Sequence, residues 1–158
     1  MLLCSKRGNI HAMGINEIVN GLIKKNGKSL IFVLGPEARD KVEGGLTSID
    51  NNLSTIERSR HDIKILFLNK LQYLFMFLMK LEGEKKCNYT NIAIYGLDSL
   101  ISEKNDTERI RLSNLILSSL FKVYRTHDLH DIVIEWFDNE KDNTELDRMV
   151  EYWKFLIA

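Results

Sequence analysis

The sequence predicts an α/β fold built on a mainly parallel sheet of about four strands covered by helices. Three observations carry that expectation. Four apolar runs, SLIFVLG, IKILFLN, NIAIYGL and DIVIEWF, have the continuous hydrophobicity of strands buried on both faces, not the alternation of a half-exposed sheet. Segments with apolar residues at helical spacing separate them, so strand and helix alternate four times. The 158 residues are 44% hydrophobic and contain one proline, no internal repeat and no linker-like tract, which fits one domain over 14–158 behind a flexible leader at 1–13.

Each element has its own signal. Ile15, Ile18, Val19, Leu22 and Ile23 recur at helical spacing as far as Lys25, where Asn26-Gly27 stops the helix. Ser29 to Gly35 is the first strand; Pro36 suits a first helical turn, and PEARDKVEGG reads as a short helix stopped by Gly44-Gly45. Thr47 to Asp62 has no clear periodicity and is expected to be a loop. The second strand, Ile63 to Asn69, runs almost directly into a helix from Lys70 to about Glu82, and the third occupies Asn91 to Leu97. Asp106-Thr107 can cap a long helix to about Tyr124, with Ile110, Leu112, Leu115, Ile116, Ser119 and Leu120 on its inner face. After the fourth strand, Asp131 to Phe137, Thr144 caps a last helix carrying Leu146, Met149, Val150, Trp153, Leu156 and Ile157 on one side.

Composition narrows the function classes. Twenty-two basic and 22 acidic residues give no net charge, so no global field holds a polyanion and any nucleic-acid contact has to be local. Cys4 and Cys87 stand far apart, outside any metal-ligand spacing, which suits a reducing compartment. The most membrane-like stretch, Ile63 to Leu81, carries Lys64, Lys70 and Lys80 and is expected not to span a bilayer. His127 and His130 in THDLHD sit beside two aspartates, yet their spacing matches no closed zinc pattern, so neither metal nor cofactor is expected.

GLIKKNGKS, Gly21 to Ser29, ends in the Gly-Lys-Ser of a phosphate loop, but five residues separate its glycines and it follows a helix instead of a strand. A helix C-terminus presents carbonyls, which repel phosphate. The right place for such a loop is Gly35-Pro36-Glu37, where the proline removes an N–H and the glutamate occupies the anion's position. Asp98, after the third strand, could imitate the metal-holding acid of an ATPase, but without the first motif it reads as a cap or turn residue. The chain therefore has the layout of a nucleotide-binding core without the chemistry. It has no expected catalytic residue.

Two surface features remain. In KLQYLFMFLMKLE, Tyr73 to Met79 are all apolar or aromatic; with Leu71, Leu74, Phe75 and Leu78 packed on the sheet, Tyr73, Met76, Phe77 and Met79 point the other way, either under another element of the same domain or as a candidate partner surface, and Tyr152 and Phe155 on the last helix are either a packed edge or an interface. Lys24 and Lys25 in one segment and Arg58 and Arg60 in another form basic clusters that a fold could bring near DNA.

LIFVLGPEARDKVEGGL, IKILFLNKLQYLFMFLMKL, YTNIAIYGL and RMVEYWKFL, in that order, resemble the smallest RecA-like subunit of the fungal Shu complex, a homologous-recombination accessory factor. The resemblance covers about Leu30 to Leu156. It implies a degenerate RecA/P-loop ATPase-like core without phosphate-binding motifs, acting as a nuclear, non-enzymatic scaffold. Its partners would be a SWIM-domain zinc-binding subunit and other RecA-like subunits that carry most of the DNA contact, and its role would be to promote recombinase filament assembly on single-stranded DNA. The rival readings are a small nucleotide-binding protein using GPEA or NGKS, and a direct DNA-binding module.

Overall fold

A computed structural model describes residues 14–44, 53–138 and 140–157. Four strands, β1 (Ser29–Leu34), β2 (Ile63–Leu68), β3 (Asn91–Tyr95) and β4 (Asp131–Glu135), form one all-parallel sheet in the order β2-β1-β3-β4. The expected α/β class is the observed one. The expected leader at 1–13, with Cys4, lies outside the described residues.

Helices α1 (Ile15–Lys24), α2 (Pro36–Glu43) and α3 (Leu53–His61) precede β2; α4 (Leu71–Gly83), α5 (Leu97–Ile101), α6 (Asp106–His127) and α7 (Thr144–Ile157) follow it. Every residue of β1 is buried, and its alternate side chains feed two cores. Leu30, Phe32 and Leu34 join α4, α6 and α7 on one face, while Ile31 and Val33 join α1 and α2 on the other. The split follows from strand order. The crossover from β1 to β2 steps one way along the sheet and the next two step the other way, so crossovers of one hand must lie on opposite faces.

Several local expectations are corrected. The described part of the expected loop at 47–62 contains α3, whose helicity periodicity alone does not reveal; Arg58, Arg60 and His61 fall in its last turn, where cations complement the exposed carbonyls. The third strand stops at Tyr95 because Gly96 turns the chain with φ +89° into α5. Asn105, not Asp106, caps α6, accepting the Glu108 N–H at 2.9 Å, and the helix continues past Tyr124 to His127. Thr144 is the first residue of α7, and the preceding Asn143 carbonyl accepts the Asp147 N–H. Ile110, Leu115 and Leu156 lie at 43–49% exposure, off the inner faces assigned to them, while Leu117, Phe121 and Val123 are buried instead.

β2 is the more open edge: all five residues of β4 are buried, whereas Lys64 and Phe67 of β2 are exposed. A lone lysine inside an apolar strand is a common mark of an edge.

Candidate functional site

In open α/β sheets ligands bind beyond the strand C-termini where the strand order reverses, here between β1 and β3. At that point the turn after β1 is drawn against α5. Gly35 has φ +89° and lies so near α5 that an added Cβ would meet the Ser99 Cβ at 3.3 Å. Its N–H already donates to the Leu68 carbonyl at 3.0 Å, Pro36 begins α2 without an N–H, and Glu37 stands exposed in the first turn. Asp98 is 5% exposed, and its two carboxylate oxygens accept the N–H groups of Phe137, at 2.9 Å, and Asp138, at 3.0 Å. Instead of facing a metal, it ties the end of β3 to the segment after β4.

Glu135, the register partner of Tyr95, is 3% exposed. Burial, reinforced by the Asp147 carboxylate and opposed by Lys154, pushes its pKa up to about 7. Its unfolded form releases the proton near 4.5, so between about pH 4.5 and 7 the unfolded chain binds fewer protons and stability falls as pH rises. Glu135→Gln should flatten the pH dependence of urea unfolding across that window and raise stability at pH 8 by on the order of 1–2 kcal/mol. An unchanged profile would refute this assignment.

The α4 surface divides differently from the sequence expectation. Tyr73, Met76 and Met79 are exposed at 48%, 64% and 53%, with Lys70 Nζ 5.8 Å from the Tyr73 ring centre. Phe77 does not join them. It lies half-buried, its ring edge-to-face with Phe32 at 5.6 Å, because it follows Leu74 by three residues and precedes Leu81 by four on the sheet-facing stripe. Beside α4, over the C-terminal ends of β1, β2 and β3, opens a groove of about 560 Å³ with Pro36, Leu71, Phe75, Leu100, Leu112, Leu115 and Ile116 in its walls and Asn69, Lys70, Ser99, Glu103 and Lys104 among its polar lining. The groove was not legible beforehand, since residues of α2, α4, α5 and α6 build it.

On α7, Tyr152 and Phe155 are exposed at 57% and 79%, while the neighbouring Trp153 stacks on Phe121 at 6.3 Å and donates to Asn114 Oδ1 at 2.8 Å.

The two basic clusters do come together, but half of their charge is already used. The Lys25 ammonium pairs with the buried Asp131 carboxylate, and Arg58 donates to the Lys25 carbonyl and lies 3.5 Å from Asp62. Burial lowers the Lys25 pKa. Lys25 and Arg58 thus hold α1, α3 and the start of β4 together, whereas Lys24 and Arg60 stay exposed. His127 reaches the Leu81 carbonyl at 2.5 Å and so tethers α6 to α4; among the described residues no group of three His, Cys, Asp or Glu is placed to hold a metal. No helix among the described residues is long and apolar enough to cross a membrane.

A family model described as "Suppressor of HU sensitivity involved in recombination protein 1" matches residues 16–158. A protein of that same description from Saccharomyces cerevisiae (strain ATCC 204508 / S288c) is 26% identical over 132 residues, covering 81% of this chain and 83% of the relative.

Proposed function

This chain belongs to the Suppressor of HU sensitivity involved in recombination protein 1 family, and from that premise we propose that it is a non-catalytic interaction subunit of a Shu-type recombination complex. In the proposed arrangement it works in the nucleus as a scaffold that helps a recombinase assemble on single-stranded DNA. Its partners are a SWIM-domain zinc-binding subunit and other RecA-like subunits, and these supply most of the DNA contact.

The observation that carries the proposal is the exposed face of α4. Tyr73, Met76 and Met79 stand free beside an apolar groove whose wall includes Leu71 and Phe75 of the same helix. Exposed aromatic and methionine side chains next to a concave apolar surface are what interface cores are made of. The leucine, isoleucine and phenylalanine of that groove suit a partner's side chain. The turn after β1, where Pro36 and Glu37 stand in place of a Gly-Lys-Ser/Thr loop, favours the same reading over the nucleotide-binding one.

The test is co-purification of the tagged chain carrying Tyr73→Glu and Met76→Glu. Both side chains are about half exposed or more, so the melting temperature should hardly move, while partner recovery should fall at least tenfold, as when an interface anchor worth about 2 kcal/mol is removed. Phe77→Glu is the contrasting variant. Because Phe77 packs on Phe32, it should lower stability. Normal partner recovery with the double variant would remove α4 from the interface.

A further inference from the structure

The Gly-Lys-Ser turn lies at the N-terminal end of the strands, opposite the turn at Gly35, and there it helps to build a different concavity. Gly27 has φ +92°, and a Cβ added there would lie 2.1 Å from Thr90 Oγ1, so the turn is pressed against the lead-in to β3. The Lys28 carbonyl accepts the N–H groups of Thr90, at 2.8 Å, and Asn91, at 3.3 Å, and the Ser29 N–H donates to the Asp62 carbonyl at 2.7 Å. These backbone bonds fix three separate segments around a cavity of about 450 Å³ whose lining includes Lys28, Arg60, His61, Lys64, Asn88 and Tyr89.

The charge of this cup is uncompensated. Lys28, Arg60 and Lys64 are exposed, and among the described residues none of them forms an ion pair. The one carboxylate in the lining, Asp62, lies 3.5 Å from Arg58. Glu57, a turn before Arg60 on α3, is exposed and makes no ion pair with it. In a chain with no net charge, three unpaired cations and a histidine at one concave site create a strong local field.

We propose that this cup is a contact site for the phosphodiester backbone of single-stranded nucleic acid, with Lys28, Arg60 and Lys64 on phosphates and Tyr89 as the aromatic side chain of its wall. The cations come from two segments, Lys28 before β1 and Arg60 with Lys64 across the α3–β2 junction, and such a spread suits a run of phosphates. A single phosphate would call for converging amides, and here the Ser29, Thr90 and Asn91 amides are already bonded within the protein. Cations lining a groove with an aromatic group are how proteins hold single strands without reading sequence. The proposal deepens the recombination role proposed above and rests on it for the choice of polyanion. It also replaces Lys25 and Arg58, which the fold consumes, with Lys28 and Lys64.

The experiment is fluorescence anisotropy of the full chain with a labelled oligothymidylate between about 50 and 200 mM salt. Three phosphate contacts predict a slope of log K against log salt of about −2. Lys28→Ala, Arg60→Ala and Lys64→Ala together should weaken binding at least tenfold and flatten that slope, with the melting temperature unchanged. Lys122→Ala with Arg125→Ala, exposed on α6, should leave binding as it was. Four results would overturn the proposal: no binding at low salt, equal weakening by the α6 pair, equally tight binding of a duplex, or displacement of the strand by millimolar inorganic phosphate. If the triple variant instead lost its protein partners and kept the oligonucleotide, the cup would be a protein contact. In that case the α4 interface would still stand on its own test.

Discussion

Asp98→Ala should lower stability by about 2–4 kcal/mol, measured as a drop in the urea midpoint with an unchanged m-value. Its carboxylate accepts two backbone N–H groups, those of Phe137 and Asp138, from a position 5% exposed. A hydrogen bond to a charged group contributes about 1.5–3 kcal/mol, and the sum of two is not lost in full because Phe137 and Asp138 are only partly buried and can turn an N–H to water. Asp98→Asn should recover little, because an amide offers one acceptor oxygen and turns its NH₂ toward the second N–H. The rival role, an acid that holds magnesium for a nucleotide, gives the opposite pattern: stability barely altered and magnesium-dependent ATP binding lost. Calorimetry with ATP and magnesium on wild type and variant separates the two, and the second pattern would sink the structural assignment.

Gly96→Ala should be of similar severity for a different reason. Gly96 adopts φ +89°, and an added Cβ would stand 2.7 Å from the Leu34 carbonyl oxygen and 3.3 Å from the Ala38 Cβ. Strained backbone of this kind costs about 1–3 kcal/mol, and the oxygen it meets belongs to the central strand, which cannot move aside without disturbing both cores. The expected loss is about 2–4 kcal/mol. Gly35→Ala should be comparably severe: the nearest atom is a serine side-chain carbon at 3.3 Å, but φ +89° with ψ 159° is backbone that essentially only glycine adopts. Gly21→Ala, inside α1 with nothing within 4 Å, should be neutral or stabilising by about 0.5–1 kcal/mol. The prediction is this order in thermal unfolding; a Gly96→Ala variant as mild as Gly21→Ala would contradict it.

The strands were legible because a parallel strand buried on both faces needs an unbroken apolar run at its centre, and β1, β3 and β4 have one after a polar first residue. Strand order was not, since nothing in a local window says that β1 lies between β2 and β3. α3 escaped notice because LSTIERSRH has few apolar positions to mark a face. Phe77 was assigned outward because an unbroken apolar run hides which residues share a stripe; its spacing from Leu74 and Leu81 is the signal that finds it. The basic residues show the deepest limit. Lys25 and Arg60 look alike in the sequence, and only the fold brings Asp131, 106 residues away, to Lys25 while leaving Arg60 free. Lys64 had a readable signal, a charge inside an apolar strand, but as a mark of an edge and not of a site.

The central position of β1 also governs how the chain can form. Ser29 pairs with Ile63 on one side and with Asn91, 62 residues later, on the other, and no strand of the sheet pairs with itself through a hairpin. A chain emerging from the ribosome therefore completes its most apolar strand long before β3 exists to flank it or α4 and α6 exist to cover Leu30, Phe32 and Leu34. Loop closure of that length is slow compared with helix formation, so folding should be late and nearly all-or-none once β3 has been synthesised. During that interval the nascent chain presents bare hydrophobic sheet, which makes it a client for chaperones or for an early-arriving partner.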